Sequence, residues 1–454
     1  MASPLAALQA FLHNHPDIKC TTPSAAEYPS ISEIWNVGHA GTPLAIVHPQ
    51  SADDVCRVIR YARTAGLRST IRTGGHNLVG STMVEGALVI DLRALAGVAI
   101  AADRQSVTIG GGILQGELAK KLWEEGLATP TGTVPSVGYV GWAMYGGYGP
   151  FSGNWGLGVD QILHATLVNA EGEIVKADAR LLRGIRGAGG MLGVIVDLTV
   201  KVYPLKQFLA GSILFESQDI KKTFTEFNAA YRQILNDGLP PALTIQQAAL
   251  NAPTGRVFGV IFAWSSDDVE EGQRWREKIA GLGNPIMNTV AVVDIPTWLA
   301  GNQALVASSG YGFSHSGNLY RITPEVTETI GRNLAQMPFD PATMFVIHPL
   351  RGPSAAPRED SVFASREPHF MLEILGFAVT KENRQAAEQW AAQTAREIHD
   401  TDPGNLLPTA YISLYHFAEP VPLAKFFGTH VKEILALKEE YDPHNVYNLP
   451  RLQS

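Results

Sequence analysis

Ile71-Arg72-Thr73-Gly74-Gly75-His76-Asn77 ends a strand-like run that begins at Leu67, and its two adjacent glycines decide how the segment can be used. Glycine reaches backbone angles closed to other residues, so successive N–H groups can converge on one anion and form a nest for phosphate. It is neither of the common phosphate loops: no G-x-G-x-x-G opens a helix here, and no Gly-Lys-Ser/Thr follows. Read alone, it is also compatible with an ordinary loop between strands. Downstream, Thr131 to Gly149 reads TGTVPSVGYVGWAMYGGYG. Gly132, Gly138, Gly141, Gly146, Gly147 and Gly149 would let that backbone lie flat against a large rigid ligand. Arg186-Gly187-Ala188-Gly189-Gly190 feeds an apolar strand from Gly193, and Gly110-Gly111-Gly112 reads as a strand-to-helix turn.

Around these clusters, from about Pro43 to Pro204, short β-rich runs dominate: 67–72, 87–92, 106–110, 162–169 and 193–205. One helix is clear, with Ser51 as its cap, Asp53 and Asp54 in its first turn, and Val55, Val58, Ile59 and Ala62 on one face. A second is expected from Leu114 to Glu125. From about Gln207 the style changes. Strands LAGSILFES, GRVFGVIFAW and HFMLEILGFAV alternate with amphipathic helices near 218–236, 267–281, 324–337 and 381–399, which predicts an α+β unit with an antiparallel sheet backed by helices. The tail has a strand, TAYISLYHF, then a helix, LAKFFGTHVKEILALKEEY, then an extended end. The expected organisation is therefore a first domain over 1–206 with its core from about 40, a second over 207–405, and a segment 406–454 that returns to the first.

The chain has 454 residues with 45% hydrophobic and 17% charged side chains, so it can bury a large core and is not globally disordered. A net charge of −8 gives no basic excess for nucleic acid or an anionic membrane. No apolar run approaches the roughly 20 residues of a membrane span. Two cysteines, Cys20 and Cys56, exclude a disulfide scaffold but not a single bridge. With no secretory leader pattern and no Asn-x-Ser/Thr sequon, the expectation is a cytoplasmic protein. No metal site is expected: His13, His15, His315, His348 and His369 are scattered without ligand spacing. Ser314-His315-Ser316 reads as a polar loop, and there is no G-x-S-x-G elbow.

In order along the chain, these motifs resemble FAD-linked oxidases of the berberine-bridge-enzyme-like type, in the vanillyl-alcohol-oxidase superfamily with its PCMH-type FAD-binding domain. RTGGHNLVGS (72–81) resembles the family's R-x-G-G-H loop, and Val159-Asp160 after GLG its adenine-side strand. LRGIRGAGGMLGVI (182–195), SREP (365–368) and YDPHNVY (441–447) resemble three further family elements. The resemblance implies a fold, a PCMH-type FAD-binding domain plus an antiparallel-sheet substrate domain, and a cofactor, FAD. It implies that the pyrophosphate lies over Arg72, Thr73, Gly74, Gly75, His76 and Asn77, with Ser81 in the same loop. Thr133, Ser136, Val137, Gly138, Gly141, Trp142, Gly146 and Gly147 would line the cofactor in the second glycine stretch. Val159, Gly193, Val194 and, from the tail, Asn445 complete the implied cofactor set. His76 matches the histidine that carries the flavin covalently, which makes the ring a stronger hydride acceptor.

Three departures from the family pattern qualify this. Val134 stands where many members have a second flavin-attaching cysteine, so a single attachment through His76 is expected. Trp142 replaces a histidine and offers one donor and more bulk. Leu414 stands where the family's second tyrosine of Y-x-N-Y belongs; strand alternation would place Tyr411, Ser413 and Tyr415 on one face. Either Tyr415 with Tyr411 serves catalysis, or the usual base is missing and Tyr415 and His416 only pack. The stretch Ala177 to Leu181 is shorter than the family's linker and reads as a trimmed loop.

The implied activity is that of an FAD-dependent oxidoreductase acting on a small, hydrophobic metabolite, with oxidative cyclisation as one outcome and secondary metabolism as its setting. A hydride would leave a substrate C–H while a nearby base took a proton. Dioxygen would reoxidise the flavin, since Val137 matches the position beside its reactive edge and is small enough to admit it. Phe258, Phe262, Trp264, Trp298, Phe313, Phe345 and Phe370 read as core rather than pocket. The alternative is a redox-neutral cyclase or pericyclase that keeps FAD structurally; a flavin carrier without catalysis is a third reading.

Overall fold

The computed structural model describes residues 3–253, 255–447 and 452–453. Its first sheet has strands in the order Lys19–Thr21, Ala45–His48, Leu88–Asp91, Ser69–Arg72. The last three run parallel. Their crossover is the helix Ala52–Thr64, capped by the Ser51 side chain on the Asp54 amide, with Val55, Val58, Ile59 and Ala62 buried against the sheet. A second, antiparallel sheet has the order Val98–Ile100, Ser106–Gly110, Val194–Lys201, Ile162–Val168, Ile174–Lys176. Val168, Val194 and Val196 from it share one buried cluster with Val47, Leu88 and Ile90 from the first, so the two sheets pack on each other.

The third sheet has eight antiparallel strands. Leu243–Ala252, Met344–Leu350 and His369–Ala378 lie near its centre, and Tyr311–Leu319 forms one edge. Helices Ile220–Asp237, Pro324–Ala335 and Arg384–Thr401 cover one face. Phe258, Phe262, Trp264 and Phe345 are buried there as core, whereas Trp298 belongs to another cluster with Phe151 and Phe208. The sheet's other face meets the glycine-rich segment. No described helix is long and apolar enough to cross a membrane.

Several local expectations are corrected. Tyr411 to Tyr415 is not a strand: Ile412–Leu414 is a single 3-10 turn with no ladder partner, so alternation does not set its faces. Gly428, at φ 52°, breaks the expected tail helix into Ala424–Phe427 and Val431–Tyr441. Val159-Asp160 lies in the helix Gly158–Gln161, because the Asp160 carboxylate caps the Leu157 amide and closes a turn. Ser314-His315-Ser316 is not a loop but the middle of an edge strand paired with His369–Ala378. Ala179 and its successors begin a helix, Ala179–Ala188, whose end is broken at Gly187 by a φ of 137°.

Candidate active site

The Gly74-Gly75 loop is built by close backbone approach. A Cβ on Gly74 would lie 2.3 Å from the Ser136 carbonyl oxygen and 2.5 Å from the Gly138 nitrogen. One on Gly138 would lie 2.6 Å from the Thr73 side chain. The two glycine segments are therefore pressed against each other, and Gly75 turns the chain at φ 72°. Asn77 Oδ1 accepts from the Val79 and Ser81 amides at 3.2 and 2.9 Å and closes the loop on itself. Among the described residues, the N–H groups of Gly74, Gly75 and His76 donate to no protein acceptor. Thr73, Gly74 and His76 to Ser81, Thr133 to Val137, and Gly141 with Trp142 are all half-exposed between buried flanks. A Cβ on Gly141 would meet nothing within 4 Å.

Arg72 takes a different place from the one expected. It is buried and turned away from the loop, reaching Asp91 at 3.2 Å and the Ile31 and Glu33 carbonyls. It anchors the nest from beneath rather than lining it. Trp142 is also reassigned: its indole N–H donates to the Tyr148 carbonyl at 3.1 Å and its ring covers Gly147 and Gly158. Val159 and Val194 are buried in separate apolar clusters, and Gly193 packs on Leu167 and the Val168 carbonyl. Asn445 is exposed in a left-handed turn, φ 53°, after the last helix, so it reaches no interior site.

His76 Nε2 lies 2.9 Å from Ser136 Oγ, and that hydroxyl donates to Gln303 Oε1 at 2.8 Å. Burial pushes the His76 pKa down to about 4.

The second glycine turn carries the chain to the sheet. Gly146, at φ 136°, would place a Cβ 2.7 Å from Phe363 and 3.1 Å from Tyr411. Tyr411 is buried with Tyr148, Phe363 and Val159. Its hydroxyl meets the Gly147 amide and the Ser413 side chain, and burial pushes its pKa up to about 12. Tyr415 does not join it: its ring stands edge-on to Phe417 and Phe426 in a separate cluster. Of the two expected catalytic tyrosines, only Tyr411 faces this region.

Side chains given no part in the site by the sequence face Tyr411. His348 Nε2 lies 2.9 Å from Glu373 Oε2, and its Nδ1 lies 3.0 Å from Gln246 Nε2. An amide nitrogen only donates, so His348 accepts at Nδ1 and donates from Nε2 to the carboxylate. Gln246 Oε1, and Ser316 Oγ three strands further across this face, are buried without a partner. Unpaired buried polar atoms are costly, and these two leave bonding capacity on the face that meets the glycine-rich segment. Beside them, His369 Nδ1 donates to the Glu367 carbonyl at 2.6 Å, so Tyr148 donates its hydroxyl proton to Nε2 at 3.1 Å. Burial holds His369 neutral, with a pKa lowered to about 4. A signal is present for two of them: His348 and Glu373 each interrupt a mostly apolar strand with a polar group on the face away from the helices, whereas Gln246 is one of two adjacent glutamines in a mixed strand. Among the described residues, no group of three or more His, Cys, Asp or Glu could hold a metal ion.

Residues 43–178 match the FAD binding domain family. The FAD-linked oxidoreductase aurO of Gibberella zeae is 28% identical over 436 residues, covering 95% of this chain and 85% of that protein. Among solved structures, wild-type BBE-like 1 of Physcomitrella patens superposes with a TM-score of 0.83 at 20% identity, covering 98% of each chain. Glucooligosaccharide oxidase from Acremonium strictum, whose FAD is described as 6-S-cysteinyl and 8α-N1-histidyl, superposes with a TM-score of 0.83 at 17% identity, covering 97% of each chain. The PCMH-type fold expected from the motifs is the fold observed. The residues present fit FAD: the unpaired amides of Gly74 to His76 suit a pyrophosphate, and the space at Gly141 suits a ligand lying along the loop.

Proposed function

We propose that this FAD-linked oxidoreductase is an oxidase that holds FAD covalently, once, through His76 and removes a hydride from a small, largely apolar metabolite carrying an O–H or N–H. The Gln246–His348–Glu373 chain, opposite Tyr411 on the face that meets the glycine turn, is the observation that carries this reading. Bound FAD supplies a two-electron acceptor. The protein residues supply the rest. Glu373 accepts the proton that the substrate must lose as the hydride departs. His348, held in place by Gln246, steadies that carboxylate through its Nε2–H. The unpaired Ser316 hydroxyl, directly opposite Glu373 on the paired strand, orients the substrate's donor group, and Tyr148, Phe363 and Met371 give an apolar wall. Val134 in place of a cysteine supports a single attachment, and the half-buried Val137 supports access of dioxygen. Cys20 and Cys56 are both free, which supports a cytoplasmic setting.

Anaerobic mixing with candidate metabolites tests the activity. The expected result is bleaching of the oxidised flavin band, followed by hydrogen peroxide formation when air is admitted. Turnover of a metabolite with no bleaching at any concentration would overturn the oxidase reading in favour of redox-neutral cyclisation. For the attachment, acid-denatured chain should retain flavin fluorescence on a tryptic peptide containing His76.

A further inference from the structure

His76 sits at the end of a hydrogen-bond relay that begins far away in the chain. Ser136 Oγ lies 2.9 Å from His76 Nε2, and Gln303 Oε1 lies 2.8 Å from Ser136 Oγ. Gln303 is the last residue of the helix Ile295–Gln303, which packs through Trp298 and Leu299 against the cluster holding Ala119 and Phe151. A serine hydroxyl has one proton. Once that proton is given to the Gln303 carbonyl, Ser136 can only accept from His76. The imidazole must then carry its proton on Nε2, and its lone pair lies on Nδ1. Burial keeps the ring neutral, so this lone pair is available near neutral pH. Without the relay the two tautomers interchange, and the form with the lone pair on Nε2 points it at Ser136.

We propose that Ser136 and Gln303 are positioning residues for flavin attachment, fixing the His76 tautomer so that Nδ1 is the nucleophile. This rests on the covalent attachment proposed above. In the overall step a bond forms between Nδ1 and the 8α-carbon of the flavin. The methyl group loses one C–H proton and the imidazole loses its Nε2 proton. The two electrons of the broken C–H bond stay on the flavin ring, and dioxygen removes them, with two protons, as hydrogen peroxide. Because Gln303 lies 167 residues beyond Ser136, attachment also waits for that helix to dock.

The test compares the full chain as purified from aerated cells: wild type, Ser136→Ala, Gln303→Leu and Gln303→Glu. The measurement is covalent flavin (in-gel fluorescence after acid denaturation) divided by total flavin (visible absorbance). Ser136→Ala and Gln303→Leu should lower that ratio at least tenfold. Gln303→Glu, whose carboxylate can only accept, should restore it to within about twofold of wild type. Wild-type ratios in Ser136→Ala and Gln303→Leu would overturn the relay while leaving attachment through His76 intact. Flavin fully released from wild type by acid would instead overturn the attachment itself. If either disruptive variant fails to retain flavin, Gln303→Glu decides: a near wild-type ratio supports the relay, and a ratio at least tenfold lower refutes it.

Discussion

Glu373 interrupts a strand whose other members are almost all apolar, and it is partnered by His348 at 2.9 Å. A carboxylate so placed takes a proton only if its geometry is kept, so Glu373→Gln is the informative change. The amide keeps the shape and cannot act as a base. The flavin reduction rate with a bleaching substrate should fall about 10²- to 10⁴-fold, the usual range for a positioned base, while flavin content stays at the wild-type level. At the glycines the argument is conformational. Gly75 has φ 72°, and its Cβ would approach Glu33 and Ile34 at 3.3 Å; Gly147 has φ 81°, and its Cβ would lie 2.9 Å from Gly158 Cα. Both restrictions come from the chain itself, before any ligand contact. Gly75→Val and Gly147→Val should each lower the thermal midpoint and yield flavin-poor protein, the backbone strain alone costing about 1–2 kcal/mol.

Between elements, the Asp160 carboxylate ties the helix Gly158–Gln161 to the segment before the strand His369–Ala378. Arg366 reaches it at 2.7 Å, and both side chains are almost fully buried, at 9% and 4% exposure. Deleting Arg366 leaves the buried Asp160 with Arg358 alone, at 3.7 Å, so Arg366→Ala should destabilise by up to about 3 kcal/mol, the low end for a broken buried pair. The double variant Asp160→Asn, Arg366→Met should lose clearly less, as read from urea midpoints. This pair also shows where sequence reading stopped. Asp160 was legible as part of GLGVD but read as strand, because its cap on the Leu157 amide is a three-residue effect hidden by the apolar neighbours. Strands 106–110 and 255–264 were legible to the residue, since β-branched and aromatic runs bounded by glycine have little alternative. The 411–415 segment alternates like a strand and is none, for a strand needs a ladder partner, and partnership is a tertiary fact. The glycine loops were legible because close approach can be read locally. The Gln246–His348–Glu373 chain was not, because three strands must first be placed in register to bring single polar residues together.

For the whole molecule, the buried histidines set its response to acid. His315 and His369 both have pKa values lowered to about 4, chiefly because burial disfavours the imidazolium; the neighbouring His416 adds to the effect at His315. His315 lies on the edge strand near the His416 ring, 4.9 Å centre to centre, and His369 is locked between Tyr148 and the Glu367 carbonyl. In the unfolded chain each titrates near the ordinary value of about 6.5. Between those values the unfolded state binds more protons than the folded one, so stability falls as pH drops. It is complete above about 6.5 and declines through the window down to 4, by about 1.4 kcal/mol per pH unit for each group at most. Urea midpoints should therefore be flat from pH 8 to 7 and fall steadily from pH 6 to 4.5. His369→Gln removes one titrating group and keeps a hydrogen-bonding side chain. That variant should start less stable at pH 7 and lose less on acidification, so the two curves converge. Parallel curves would show that His369 is protonated in the folded state, against the geometry in which its Nδ1–H and Nε2 lone pair are both engaged.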